Sequence, residues 1–287
     1  MLSGSQLHAF LRSIDGIVQT DLVCRQCGSL GYTLTSQSQT FCCFCDGYVD
    51  QDGMNVVHAN SQNEKNLSGM SSAAVKGDWM DGVQFADALA ATKDPFFLYG
   101  AGMFYNFFSD FTYNDVDYGL SGFMYPNAEK RSDELANNKY NAMALLSKSK
   151  EYMFKALKIL SAGHQDSKML YLKFIANSKL KRFPHAATAL VDIDSNPNNS
   201  IYSQYANLIF SIDTAVKLPE PGKLPAIAQA SGSPNFYYYL AKFLVKNKDL
   251  ESASAILTKL TQKVYMPMAF YYNKRIIDVM KASGFDQ

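Results

Sequence analysis

Cysteines at positions 24, 27, 42 and 45 form two C-x2-C pairs separated by fourteen residues, and no other feature of the chain restricts its folding as tightly. A C-x2-C pair sets two sulfurs on one side of a tight turn, and two such turns can converge on a single tetrahedral ion. Gly28 follows the second cysteine and Gly47 lies two past the fourth, where a knuckle backbone often needs positive φ. Leu30, Tyr32 and Leu34 alternate as a short strand does, and the polar run from Thr35 to Thr40 reads as a turn. The spacing predicts a small β-hairpin with a knuckle at each side and one Zn²⁺ held by Cys24, Cys27, Cys42 and Cys45. Four thiolates leave no open position to activate water, so such an ion is structural.

Three other uses of these cysteines stay open on sequence alone. Two disulfides need an oxidising compartment, yet the first twenty residues lack the basic start and unbroken apolar core of a secretory signal. The expectation is a cytoplasmic, reducing environment. Iron uses similar knuckles, but only the first knuckle here carries the adjacent glycine. A thioredoxin-like redox pair belongs between a strand and a helix of a βαβ unit, which does not surround it. Cys43 lies too close to Cys45 to form a normal knuckle and reads as a spectator. Residues from about 20 to 50 resemble a zinc ribbon on the strength of the four cysteines and Gly28. The resemblance implies zinc rather than any particular partner, and Cys43 departs from the usual pattern.

The chain has 287 residues, 47% of them hydrophobic and 13% aromatic, enough for a large core beside a small metal module. Leu7, Phe10, Leu11, Ile14, Ile17 and Val18 recur at helical spacing, which predicts an amphipathic helix over 1–20 ahead of a ribbon over 21–50. Residues 51–77 are rich in Gln, Asn, Ser and Gly and read as a linker. From 78 to 287 apolar residues fall on helical periods broken by Gly, Pro or Asn clusters, so the expected fold class is mainly α. The longest uncharged apolar stretch, Pro95 to Ser109, is fifteen residues and falls short of a membrane span.

In residues 236–267, Tyr237, Leu240, Ala241 and Leu244 form one helix face. Lys248 to Ala253 turn into a second helix with Leu257 and Leu260, and Pro267 closes the unit. This resembles a tetratricopeptide repeat, whose small residues, here Ala241 and Ala253, let two helices approach closely. Tyr140, Met143, Ala144 and Ser147, with Ala156 and Leu160 on a following helix, read as an earlier unit, and Ala186 after Phe183 as another. A decayed unit is expected over 200–232, shortened by Pro219, Pro221 and Pro225, and Asp94-Pro95 opens a further one, interrupted by aromatics from Tyr113 to Tyr125. The resemblance implies a helical-hairpin solenoid, TPR-like, with a groove that holds protein partners.

The net charge of +1 hides a strong asymmetry, because residues 78–138 carry ten acids and three bases while 139–182 carry ten bases and two acids. Lys148, Lys155 and Lys158 share much of a helix face, and Lys168, Lys173, Lys179, Lys181 and Arg182 continue the run. They are a solvated face or a patch for nucleic acid or an acidic partner. The ribbon is acidic, so its hairpin edge or knuckle tips better suit a protein surface. His8, His58, His164 and His185 are scattered, and no nucleophile or phosphate-loop motif occurs. Asp110, Asp115 and Asp117 beside Phe107, Phe108, Tyr113 and Tyr118 read as a pocket for acid–base work or as an anchored acidic loop. Twelve Phe or Tyr residues lie between Phe96 and Tyr125, either as core or as an interface. Asn66 and Asn198 head glycosylation-like triplets that mean nothing in a reducing compartment.

The function expected is a non-catalytic adaptor that docks on a protein or nucleoprotein complex, such as a ribosome or RNA polymerase, through ribbon and helical surface. A nucleic-acid-binding regulator using residues 139–182 is the alternative, and an enzyme using residues 107–118 the third. No small-molecule substrate is evident.

Overall fold

The computed structural model describes residues 2–34, 40–45, 54–56, 61–76, 79–117, 128–162, 166–195, 200–214, 223–224 and 233–282. Among them eleven helices surround one four-stranded antiparallel sheet. The chain is mainly α, as the helical periods imply.

Helix α1 spans Gly4–Ile14. Ser3 caps it reciprocally: its hydroxyl accepts from the Gln6 amide at 3.3 Å, and Gln6 Oε1 accepts from the Ser3 amide at 2.9 Å. The helix expected over 1–20 ends early, and Ile17 and Val18 belong to strand β1, Ile17–Cys24. Gly16 breaks the helix, and the β-branched run after it finds a partner strand. Ile17 faces Leu34 and Gln19 faces Tyr32 on β2, Leu30–Leu34, with an irregularity in register between Gln19 and Val23. β3 (Phe41–Cys42) adds to β2, and β4 (Met54–Val56) adds to the other edge of β1, giving the order β3-β2-β1-β4.

The segment read as a linker holds β4 and a fifteen-residue helix, α2 (Gln62–Lys76). Leu67, Met70, Ala73 and Ala74 form its buried stripe. That stripe is short and half alanine, so the polar composition around it masked a helical period. Helix α3 covers Trp79–Ala91 and packs on α2.

Asp94 caps helix α4 (Pro95–Asp117) by accepting from the Phe96 and Phe97 amides at 2.8 and 3.2 Å. The longest helix, α5 (Ala128–Leu160), packs along α4. The hairpin expected within this stretch is absent, because the helix runs unbroken from Tyr140 through Leu160. No glycine or proline falls there to turn the chain. The face assigned to that unit is solvent-exposed at Met143, Ala144 and Ser147, while Ala142, Leu145, Tyr152, Met153 and Ala156 are buried. Tyr99, Phe104, Tyr105, Phe107 and Phe108 on α4 are buried, so this part of the aromatic run is core.

Helices α6 (Ser167–Lys179) and α7 (Phe183–Asp194) form a hairpin, followed by α8 (Ser200–Thr214). A second hairpin pairs α9 (Asn235–Lys246) with α10 (Leu250–Lys263), and α11 (Pro267–Ala282) packs on α10. Pro267 opens a helix rather than ending the unit, which its fixed φ suits. Ala186, Ala241 and Ala253 are fully buried. Both hairpins turn alike. Lys181 (φ 57°) and Lys248 (φ 63°) take the left-handed conformation. In each, the next amide reaches back five residues, Arg182 to Asn177 at 2.8 Å and Asp249 to Leu244 at 2.9 Å. The polar turn residues 35–39, Gly47, the aromatic insertion at 118–125, and Pro219, Pro221 and Pro225 lie outside the described residues.

The chain ends meet through α1. Phe10 packs on Phe236 with ring centroids 6.0 Å apart, the Ser13 and Tyr237 hydroxyls are 2.7 Å apart, and Lys259 pairs with Asp15 at 2.6 Å. The buried residues form one continuous core from Phe10 to Met280.

Asp249 caps α10 and accepts from the Ser252 amide at 3.3 Å. Asp249→Ala should lower the unfolding free energy by about 1 kcal/mol. Lys248→Gly, which relieves a left-handed side chain, should raise it by about 0.5 kcal/mol. Urea unfolding followed by circular dichroism reads both.

Candidate metal centre

Cys24 ends β1, Cys27 lies in the turn to β2, Cys42 ends β3 and Cys45 closes the following turn. Pairing β1 with β2 and β2 with β3 therefore brings both knuckles to one end of the sheet. The four sulfurs all lie within 4.8 Å of one another and are buried. Cys24 and Cys45 are 3.7 Å apart, Cys27 and Cys42 3.4 Å, and Cys42 and Cys45 3.4 Å. A disulfide needs about 2.05 Å. A zinc–sulfur bond of about 2.3 Å gives a tetrahedron with edges of about 3.8 Å, so the donors suit one ion and no pairwise bond. Cys43 is buried but stands outside the group of four.

Backbone amides already point at two of these sulfurs. Gln26 N–H donates to Cys24 Sγ at 3.4 Å and Cys45 N–H to Cys42 Sγ at 3.4 Å, which favours the thiolate form a metal requires. Burial, then the neighbouring sulfurs, pushes the Cys24 and Cys45 thiols well up. At Cys27 burial is outweighed by hydrogen bonds from Cys24, Cys42, Cys45 and Ser29, and the thiol is lowered. Four sulfurs so close cannot all ionise without a cation between them.

The knuckle tips, expected to face a partner, are covered by helices of the same chain. Gln26 is fully buried and Phe44 nearly so. Gly28 adopts φ 75°, as its place in the knuckle predicts, and a Cβ there would stand 2.1 Å from the Leu67 carbonyl oxygen of α2. A Cβ on Gly100 of α4 would stand 1.5 Å from the Gln26 carbonyl oxygen. Tyr99 donates to the Cys45 carbonyl at 2.7 Å, Asn235 of α9 donates to the Cys42 carbonyl at 3.0 Å, and Phe44 packs on Phe107 at 5.5 Å. Neither Gly100 nor Asn235 carries a sequence signal, because each matters only through a neighbour far away in the chain.

The predicted basic residues divide into separate settings. Lys148 and Lys155 flank Glu151 at 3.6 and 2.6 Å and stand over the Tyr152 ring at 4.8 and 5.5 Å. Hydrogen bonding from Lys155 lowers the Glu151 carboxyl below its usual range. Arg182 stacks on Phe154 at 5.3 Å, while Lys158 is exposed and Lys168 and Lys173 are half-buried. Lys179 and Lys181 line a recess with Lys150 and Lys242, two lysines that the choice of a single helix face passed over.

The side chains of Asp110, Asp115, Asp117, Tyr113 and Tyr118 lie outside the described residues, as do His58 and His164. A different acidic pair of contacts is visible: the Tyr105 and Tyr152 hydroxyls both donate to Asp87 Oδ1, at 2.8 and 2.5 Å. Burial, then Asp87, raises both phenols well above their usual range. No described helix is long and apolar enough to cross a membrane. No family model, curated protein or solved structure matches the chain.

Gly100→Ala should destabilise the protein by about 3 kcal/mol or more, because the intruding methyl meets backbone that cannot rotate away. Thermal melting checks it, with Gly4→Ala, which meets nothing, as the control. The raised phenols give an alkaline signature. A folded-state pKa above the unfolded value of about 10 contributes stability that is fully present below that pH and is lost progressively as pH rises from there through the higher folded-state value. The melting temperature should therefore hold from about pH 7 to 9 and fall above 10, less steeply in Tyr105→Phe/Tyr152→Phe.

Proposed function

We propose that this protein is a non-catalytic adaptor in which one structural Zn²⁺, held by Cys24, Cys27, Cys42 and Cys45, fixes a helical body that binds a protein or nucleoprotein complex. The observation that supports a structural and not a catalytic ion is the burial of all four sulfurs beneath α2, α4 and α9. Four thiolates complete a tetrahedral shell, so when bound the ion supplies cross-linking and no Lewis-acid position for a substrate. The chain's own residues do the rest: the Gln26 and Cys45 amides steady two sulfurs, and Tyr99 and Asn235 tie the second knuckle to the helices.

Paired helices with a common turn, α6 with α7 and α9 with α10, support an irregular TPR-like array whose outer faces are the docking surface. The buried knuckles leave the ribbon an indirect part in docking, since they set the positions of the helices and do not themselves face outward. A nucleic-acid-binding role is the second reading, favoured by the gathering of Lys150, Lys179, Lys181 and Lys242 around one recess.

Metal analysis of the purified chain should return about one zinc per polypeptide. A zinc-finger-type site is worth about 10 kcal/mol or more, comparable to the whole stability of a domain. Stripping the ion with a chelator, or serine at all four positions, should therefore abolish cooperative thermal unfolding. Full structure retained without zinc would overturn the structural centre. For the adaptor role, the tagged chain should sediment in native lysate far ahead of a 31.9 kDa monomer. Sedimentation as a free monomer under every ionic condition would overturn it.

A further inference from the structure

Between α4, α5, the α6–α7 turn and α9 lies a recess of about 590 Å³, within the size range of small-molecule sites. Its lining brings together Lys150, Lys179, Lys181 and Lys242, and among the described residues that line it there is no carboxylate. Four elements each had to place a residue here. Met143, Leu146 and Lys150 recur on one face of α5, Lys179 ends α6, Lys181 sits in the turn at φ 57°, and Tyr238 and Lys242 share a face of α9. The Lys148 and Lys155 face of α5, which Glu151 partly neutralises, points elsewhere.

The chemistry of the walls is mixed in a particular way. Lys242 stands 5.8 Å over the Tyr238 ring, and Lys179 reaches the Tyr239 hydroxyl at 3.5 Å. Lys242 also stands 5.3 Å over the Tyr239 ring, so both ammonium groups lie beside aromatic side chains. The partly buried Tyr238 and Phe183 add aromatic side chains to the lining, and Met143, which is 64% exposed, offers an apolar shelf. Asn106 and Ser178 add polar groups to the lining. Four lysines lining one cavity suit a ligand that carries several negative charges. Aromatic surface beside clustered cations is the combination that recognises nucleotides, with bases on rings and phosphates on lysines.

We propose that this recess binds nucleotide phosphates, with Lys150, Lys179, Lys181 and Lys242 contacting the anion and Tyr238 stacking on the base. The same chemistry is presented by a free nucleotide and by an exposed single-stranded stretch of RNA. It deepens the adaptor reading by naming what a nucleoprotein partner would offer to the helical body, and rests on that reading only for its biological setting.

The test uses the full zinc-loaded chain, a fluorescein-labelled twelve-nucleotide RNA followed by anisotropy, and ATP followed by calorimetry. Lys150→Gln/Lys181→Gly is the decisive variant. Lys150 and Lys181 are exposed, and glycine suits the left-handed turn, so this pair leaves the fold intact. Lys65→Gln/Lys76→Gln on α2 removes the same charge from exposed sites away from the recess. The recess variant should weaken binding about tenfold or more and lower the log–log salt slope for RNA by about 1.4, while the α2 variant changes neither. Tyr238→Ala should weaken RNA binding further with no change in that slope. Loss confined to the RNA arm assigns the site to a strand, and loss confined to ATP assigns it to a free nucleotide. Equal loss in both double variants, or no binding of either probe to the wild type, overturns the proposal. Sedimentation with a large partner that persists in the recess variant would show that the adaptor reading stands without it.

Discussion

The small sheet and the helices that cover it are arranged around four sulfurs withdrawn from water. Cys24, Cys27, Cys42 and Cys45 are buried at the point where a small sheet meets α2, α4 and α9, elements drawn from the first half and the last quarter of the chain. Thiolates in that setting repel one another unless a cation lies between them. A metal ion held there therefore joins the two knuckles to each other and, through them, to the helices that cover them. Backbone contact makes the joint unforgiving: α4 approaches the first knuckle so closely at Gly100 that no side chain fits.

The two cysteine knuckles do not protrude from the fold but sit inside it as a keystone. Tyr99 and Asn235 hydrogen-bond the carbonyls of Cys45 and Cys42, so the second knuckle's own backbone is satisfied by the helices that surround it. Tyr265 extends the same logic from the C-terminal side, its amide donating to the Tyr32 hydroxyl of β2 at 3.0 Å and its hydroxyl to the Ala74 carbonyl of α2 at 2.8 Å. With α1 seated on α9 and α10, the N-terminal module is held from several directions at once. Surface chemistry is then left to the helices. That arrangement separates a candidate metal site, which is sulfur-rich and buried, from a candidate binding site, which is lysine-rich.

The charge pattern shows how folding redistributes a linear signal. Ten bases between 139 and 182 look like one patch in the sequence. In three dimensions Lys148 and Lys155 are partly neutralised by Glu151, Arg182 lies on Phe154, and only some of the rest converge. Lys242 joins the recess from sixty residues away. A run of lysines predicts a positive potential. Where that potential is focused depends on which faces of α5, α6 and α9 meet.

By itself the sequence determined which four cysteines gather, the positive φ at Gly28, the strand at Leu30–Leu34, the mainly helical class, and the hairpin around Ala241 and Ala253. Each is a local rule, in which spacing of a few residues fixes a turn, a face or a ligand pair. Packing over long distances decided the remainder. Ile17 and Val18 fit a helical stripe as well as a strand, and pairing with β2 chose the strand. Residues 62–76 looked like a polar linker until α3 and the first knuckle covered their alanine-rich stripe. The 140–160 stretch reads as two helices by analogy with its neighbours, yet without a glycine or proline it continues as one along α4. The knuckles' burial was likewise invisible, because Gly100 and Asn235 acquire meaning only beside Gln26 and Cys42. Local chemistry is written residue by residue, whereas contact between distant residues exists only once the chain has closed on itself.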